Sequence, residues 1–299
     1  MAARVFGGRA GPRPPYRAGR DGARILTFRV SWTWAALTVL FAAAASSSLA
    51  QQSARCVSDS AAARLDHVPI MVRDLSAARR SFGDTLGFSF KPGRVHANGL
   101  HNLHIRFPDG SELELISVGV GKADSLSLWY ERFLAEGEGA AFVALDAGPA
   151  SSVVGRLGDL GRQAVVVERP AFDWVSFPEG HPLHSLFFVH VRSRPEDRPE
   201  HYRHSNGALS LSEVWLETDD PELLAELLAR LGALRCGTVW NRAGVSGVGF
   251  GLSGGTLVSV SRREVSGEPR VVSVVLEATD PRPAVYRAGV WIEWRAQES

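Results

Sequence analysis

The chain has 299 residues, 45% hydrophobic and 22% charged, which is enough apolar material for one large or two ordinary domains and excludes a disordered or fibrous chain. Formal net charge is +1, but residues 1–29 hold seven Arg and one Asp, so residues 30–299 carry about −5 from 26 basic and 31 acidic side chains. No basic footprint for nucleic acid remains in the main body of the chain.

The arginine-rich start leads into an uncharged stretch, residues 30–54, with an apolar centre from Trp34 to Ala45 followed by Ser48, Leu49 and Ala50. A basic region, an apolar run and small residues before the cleavage point predict a secretory signal cut after Ala50. An uncleaved membrane anchor over residues 1–50 is the alternative, since roughly 20 apolar residues span a bilayer. On both readings the folded part is extracytoplasmic, periplasmic or secreted, and meets a membrane only through this segment. Residues 51–63 read as a linker. Cys56 and Cys236 can form one disulfide in such a compartment or remain two unpaired small residues.

From residue 64 the pattern is regular. Leu65–Val72 reads as a strand, Asp74 as a helix cap, and Leu75, Ala78, Phe82 and Leu86 as a helical stripe ended by Gly87. An irregular strand near Phe88–Arg94 precedes two strands, His101–Phe107 and Glu112–Val118, joined at Pro108-Asp109-Gly110. The grammar returns with a strand at Phe142–Asp146, a helical face of Val153, Val154, Leu157 and Leu160 ending at Gly161, and strands at Val165–Glu168 and Leu186–Val191. Next come a strand at Leu211–Thr218, a cap at Asp220, Pro221 as the first helical residue, and a stripe of Leu223, Leu224, Leu227, Leu228 and Leu231 before Gly232. Strands at Val248–Leu252 and Thr256–Ser261 follow, with Gly251–Gly255 read as a hairpin turn rather than a phosphate cradle. Val274–Pro281 echoes Val214–Pro221, Pro283 cuts the next helix short, and Val290–Trp294 is the last strand.

The reading is therefore α+β: three βαβββ units and a truncated fourth, pairing because one unit cannot bury its apolar sheet face alone. Two units fill residues 64–192, residues 193–209 are a linker rich in Arg, Pro and His, and residues 210–299 form a second, degenerate region.

Leu65-Asp66-His67-Val68, Val72-Arg73-Asp74-Leu75, Leu86-Gly87-Phe88 and Glu112-Leu113-Glu114-Leu115-Ile116, in that order and spacing, resemble the vicinal oxygen chelate superfamily of glyoxalases, bleomycin-resistance proteins and ring-cleaving dioxygenases. Within it, Gly99-Leu100-His101-Asn102 and His204-Ser205-Asn206-Gly207-Ala208 resemble the glyoxalase-like domain group. The resemblance implies paired cup-shaped mixed sheets with a metal inside the cup. His67 and Glu114 fall at ligand positions, and His190 would complete a two-histidine, one-carboxylate set. Glu114 would also be the catalytic carboxylate. The implied cofactor is a divalent metal, Zn, Fe(II), Mn or Ni, open to a small substrate with two adjacent oxygens. The second unit departs from the pattern at Phe142, and the third has Glu213 at the position of His67 with Val258 or Ser259 at that of Glu114. No second complete site is expected.

Each residue also has a plainer reading. His67 can be a bonded core histidine, and a buried Glu114 needs a metal, a proton or an arginine, which Arg106 could supply. His101 and Asn102 are expected to line the cup and touch substrate. His181, His184, His190, His201 and His204 match no zinc signature and suit a polar linker. Trp174, Phe177, Phe187 and Phe188 either wall an apolar pocket or are core. Three functions follow: a metal-dependent lyase, isomerase or dioxygenase; a protein that sequesters a small molecule in the same cup; and a degenerate structural domain.

Overall fold

The computed structural model describes residues 56–193, 196–241, 244–262 and 268–297. The expected signal or anchor, residues 1–50, lies outside the described residues, and among these no helix is long and apolar enough to cross a membrane.

Strand β1 (Arg64–Met71) leads into helix α1 (Leu75–Arg80), which continues as a π-helical turn over Ser81–Thr85. The Asp74 carboxylate accepts from the amides of Ser76 and Ala77 at 2.8 and 3.0 Å, satisfying donors that a helix start leaves open. Gly87 follows at φ +82, a conformation that suits glycine. Strands β2 (Lys91–Val95), β3 (Leu100–Arg106) and β4 (Glu112–Val118) form an antiparallel meander, and β4 returns parallel to β1.

Helix α2 (Ser125–Glu136) comes next, in a segment whose sequence pattern predicts no element. Asp124 and Ser127 cap it reciprocally, and it buries Trp129, Tyr130 and Phe133. Two-residue β5 (Gly139–Ala140) and β6 (Val143–Asp146) follow, then helix α3 (Ala150–Leu157), β7 (Val165–Glu168), β8 (Phe172–Ser176) and β9 (Leu186–Val191). The remaining elements are β10 (Ala208–Thr218), α4 (Pro221–Arg230), β11 (Leu234–Trp240), β12 (Ser246–Leu252), β13 (Gly255–Ser261), β14 (Val271–Ala278), β15 (Val285–Arg287) and β16 (Val290–Ala296).

All these strands belong to one 16-stranded mixed sheet, confirming the α+β class. It has two curved halves. In the first, β1 and β6 pair antiparallel at the centre; in the second, β10 and β14 do so. Strand β5 links the halves, because Ala140 pairs with both Ile70 of β1 and Val271 of β14.

Strand alternation sorts side chains between a concave and a convex face. Val68, Ile70, Ile105, Leu113, Leu115, Leu145, Phe188, Val214, Leu257 and Ile292 point to the convex side, where they join the buried faces of the helices α1, α3 and α4 in one core. Met71, Leu100, Ile116, Ala144, Phe187 and Val189 face the first concavity, where Trp129, Tyr130 and Phe133 of α2 pack on them. The second concavity holds Trp215, Val258, Val260 and Val275.

The segment read as a polar linker is well packed. His204 accepts from Ser89 N through Nδ1 at 3.0 Å, its Nε2 donates to Arg106 O at 2.9 Å, and its ring meets Phe88 and Phe107 edge-on. Asp197 takes hydrogen bonds from Lys91 and Tyr202 and pairs with Arg106 at 3.4 Å. Cys56 and Cys236 form a disulfide with Cα atoms 5.9 Å apart, joining β11 to the start of the described chain.

Candidate functional site

The first concavity collects the ionisable residues that sequence and fold bring together. Register decides which. His67 pairs with Glu112 across β1 and β4, and His104 pairs with Glu114 across β3 and β4, so His67, Asn102, His104, Arg106, Glu112 and Glu114 all face the concave side.

At the centre, His67 Nε2 lies 3.5 Å from Glu114 Oε2. The other ring nitrogen, Nδ1, is 2.6 Å from Asp66 Oδ1, and an ionised carboxylate only accepts, so Nδ1 carries the proton. Nε2 is thereby left facing Glu114. A β-bulge between Leu65 and His67 makes this possible, since it inserts Asp66 out of register beside the imidazole. Burial alone would push the His67 pKa down. The Asp66 hydrogen bond and the charges of Asp66, Glu114 and Glu112 outweigh it and hold the pKa above its usual value.

Glu114 Oε1 accepts from Asn102 Nδ2 at 2.6 Å, and Asn102 Oδ1 accepts from Arg94 N at 2.8 Å. Gly93 permits this approach, because any side chain there would collide with the Asn102 backbone and amide oxygen. Arg106, the arginine considered as a partner for Glu114, pairs instead with Glu112. His104 Nδ1 lies 3.3 Å from the same carboxylate. Burial works to raise the Glu112 pKa, but the His104 hydrogen bond and the charges of His104, His67 and Arg106 hold it well below the usual carboxylate range.

Two candidate residues stand elsewhere. His101 alternates with Asn102 and shares the parity of the convex-side Leu103 and Ile105, so the expectation that it lines the cup is corrected. His190 shares the parity of Leu186 and Phe188, both in the convex-side core, and its Nδ1 lies 3.1 Å from Asp146 Oδ1. The set His67, Glu114 and His190 is not assembled.

The half of the cup built by β6 and β9 is apolar where the first half is charged. Ala144 pairs with His67 across β1 and β6, and Ala144 pairs in turn with Phe187 on β9. Ala144, Phe187 and Val189 thus stand opposite His67, Glu112 and Glu114. None of the three can ligate a metal. Among the described residues no group of three or more His, Cys, Asp or Glu is arranged to hold an ion. The residues present do not fit a metal held by three or four protein side chains.

The apolar half instead shapes a cavity of about 520 Å³. Trp174 and Phe187 stack on one wall with centroids 4.0 Å apart, and Trp129 of α2 lies against Phe142, centroids 4.7 Å apart. Phe177 and His184 also line it, whereas Phe188 belongs to the convex core. Phe187 is the hinge between the two halves. It lines the cavity, and its ring meets His67 edge-on with centroids 5.3 Å apart. Asp66 and Trp129 have roles here that the sequence did not point to; of the two only Asp66, adjacent to His67, carried a signal that could have found it.

In the second half the register Glu213 to Thr256 repeats that of His67 to Glu112, which puts Val258, two residues on, where β4 has Glu114. Glu213 is paired with Arg295 and accepts from Trp215 Nε1 at 3.3 Å. Its carboxylate is thus consumed inside the fold.

A family model described as a glyoxalase-like domain matches residues 65–232. No curated protein matches the sequence. A solved structure of a hypothetical protein from Staphylococcus aureus is similar at 13% identity and TM-score 0.56, over 79% of this chain and 100% of that one. A mutant of 4-hydroxymandelate synthase from Streptomyces coelicolor is similar at 15% identity and TM-score 0.53, over 72% and 71%. A variant of homoprotocatechuate 2,3-dioxygenase from Brevibacterium fuscum is similar at 13% identity and TM-score 0.50, over 83% and 75%. At these identities the likeness is one of fold.

Proposed function

The chain belongs to the glyoxalase-like domain family, within the vicinal oxygen chelate superfamily, and we propose that its first concavity binds a small molecule, which it holds rather than transforms through a resident metal. One observation carries this reading. A charged wall with His67 Nε2 and Glu114 Oε2 3.5 Å apart adjoins, through Phe187, an aromatic cavity of about 520 Å³. Pockets of that size with few polar groups on an apolar lining suit a drug-sized ligand. The ligand is amphipathic, with a flat apolar part for the cavity and a hydrogen-bonding group for the polar wall.

A metal-dependent lyase, isomerase or dioxygenase is the second reading. The bond from His67 Nδ1 to Asp66 favours it, since metal-bound histidines commonly donate their other nitrogen to a carboxylate. His67 and Glu114 would be its only ligands from the protein, and Asp66 would orient the imidazole.

Export is also proposed, with the Cys56–Cys236 disulfide in support, because such bonds persist in oxidising compartments. Metal analysis of residues 51–299 after dialysis against Zn, Mn, Ni and ferrous ions separates the two functional readings. The binding reading expects no retained ion. A stoichiometric ion lost in both His67→Ala and Glu114→Ala, with the fold intact, would overturn it in favour of the enzyme.

A further inference from the structure

The polar groups that line the aromatic cavity differ in exposure, and so mark its rim and its buried end. At the rim Glu179 pairs with Arg132 of α2 at 2.6 Å, both side chains more than half exposed. The buried end is marked by His184, on the loop between β8 and β9. Its Nδ1 lies 3.0 Å from Phe177 O, and a carbonyl only accepts, so Nδ1 carries the proton. In the neutral ring Nε2 is then a bare acceptor. That nitrogen is buried and has no hydrogen-bond partner.

An acceptor of this kind is already stripped of water, so a donor that reaches it adds a bond with no further desolvation of the nitrogen. Two walls of the cavity stand against the imidazole. The rings of Trp129 and Phe142 meet it edge-on, with centroids 5.5 and 5.3 Å away, and both line the cavity. Water is a poor occupant here, because a buried water bonds about three polar groups and the walls beside the imidazole are aromatic. A flat molecule that parts Trp129 from Phe142 brings its leading group to Nε2.

The chemistry of that group follows from what surrounds it. Among the described residues no Lys or Arg lines the cavity, and the carboxylate that does is that of Glu179. An anionic group would meet a lone pair at the buried end and a carboxylate at the rim, with no cation facing it. A neutral O–H or N–H suits Nε2. We propose that His184 is a ligand-contacting, specificity-determining residue, and that the cavity takes a flat aromatic molecule donor end first, its O–H or N–H bonding His184 Nε2. This donor is additional to the group that meets the polar wall. The inference rests on the reading of the first concavity as a small-molecule site.

Quenching of tryptophan fluorescence tests it, because Trp129 and Trp174 line the cavity. Three probes of one shape are titrated into the native chain at pH 8, where histidine side chains are ordinarily neutral: 4-nitroaniline, 4-nitrotoluene and 4-nitrobenzoate. The methyl group of 4-nitrotoluene matches the amino group in size and has no donor. The expected order is 4-nitroaniline about tenfold tighter than 4-nitrotoluene, with 4-nitrobenzoate weakest. His184→Phe should erase the preference for 4-nitroaniline over 4-nitrotoluene. Equal affinity for those two in the native chain, a preference that survives His184→Phe, or tightest binding of 4-nitrobenzoate overturns the inference while the cavity remains a binding site. If no probe gives saturable quenching, the reading of the cavity fails and the inference with it. Should His184→Phe not fold, a crystal structure of the native chain with 4-nitroaniline decides. An amino nitrogen within about 3.2 Å of His184 Nε2 supports the inference, and an amino group placed elsewhere overturns it.

Discussion

His67 and Glu114 are the pair on which the family resemblance turned, and each is held by a neighbour of a different kind. Asp66 orients the imidazole, and Asn102 takes one oxygen of the carboxylate. The charge that must be neutralised inside the fold sits one pair further along, at Arg106 and Glu112. Removing one partner of a buried ion pair leaves the other uncompensated, so Glu112→Ala should cost about 3 to 5 kcal/mol in chemical denaturation. A loss below about 1 kcal/mol would show that Arg106 finds other compensation.

Asp197, the other partner of Arg106, gives a pH test. Burial acts to raise its carboxyl pKa, but the hydrogen bonds from Lys91 and Tyr202 and the charges of Arg106 and Lys91 outweigh it and hold the pKa below the usual value. A depressed carboxyl stabilises the fold above its unfolded pKa, about 3.9, and that contribution fades as pH falls through the folded value. The stability difference between the native chain and Asp197→Asn should therefore be constant above about pH 5 and shrink below about pH 4. A difference that grows on acidification would contradict the assignment.

At the scale of elements, strand parity decides function. Both His67 and His190 lie on strands with histidine at a plausible place, but one side chain faces the concavity and the other leaves it. His190→Ala should leave probe binding within about twofold of the native chain, since a contact on the far side of the sheet contributes little. A tenfold effect of that substitution would mean that the register of β9 is misread. Helix α2 contributes in the opposite sense: Trp129→Ala removes a nearly buried indole and should cost about 3 to 5 kcal/mol, read as a lowered melting temperature.

The strands β4, β7 and β9 were legible to the residue because β4 alternates and β7 and β9 are short β-branched or aromatic apolar runs with clear ends, and α4 because Asp220, Pro221 and a leucine stripe agree. Helix α2 was not. Its buried residues, Trp129, Tyr130 and Phe133, pack on the apolar cluster of the concave face, Trp129 also lining the cavity, but serines and charged residues interrupt the stripe. Strands β8 and β11 also escaped, β11 because almost all of its residues are exposed and no burial pattern marks it. The pairing of His67 with Glu114 was readable from strand positions. The displacement of His101 and His190 was not, because facing depends on register, and a one-residue shift reverses every side chain.

At the scale of the whole molecule, two concave faces share one sheet and differ in chemistry. The second is closed by its own ion pair, Arg295 with Glu213, and the first keeps a polar wall beside an aromatic cavity. The Cys56–Cys236 disulfide spans 180 residues of sequence. Breaking so long a loop should cost about 2 to 5 kcal/mol, so Cys236→Ser, or added reductant, should lower the melting temperature by several degrees. No change would mean that the bond constrains the unfolded chain little.

The most direct measurement of the central claim is a 4-nitrophenol titration, followed by tryptophan quenching, of the native chain beside His67→Ala, Phe187→Ala and Glu213→Gln. Binding in the first concavity predicts saturable quenching that weakens about tenfold or more in His67→Ala and Phe187→Ala and is unchanged in Glu213→Gln. Saturable quenching lost in Glu213→Gln and retained in the other two would place the ligand in the second concavity and contradict the account.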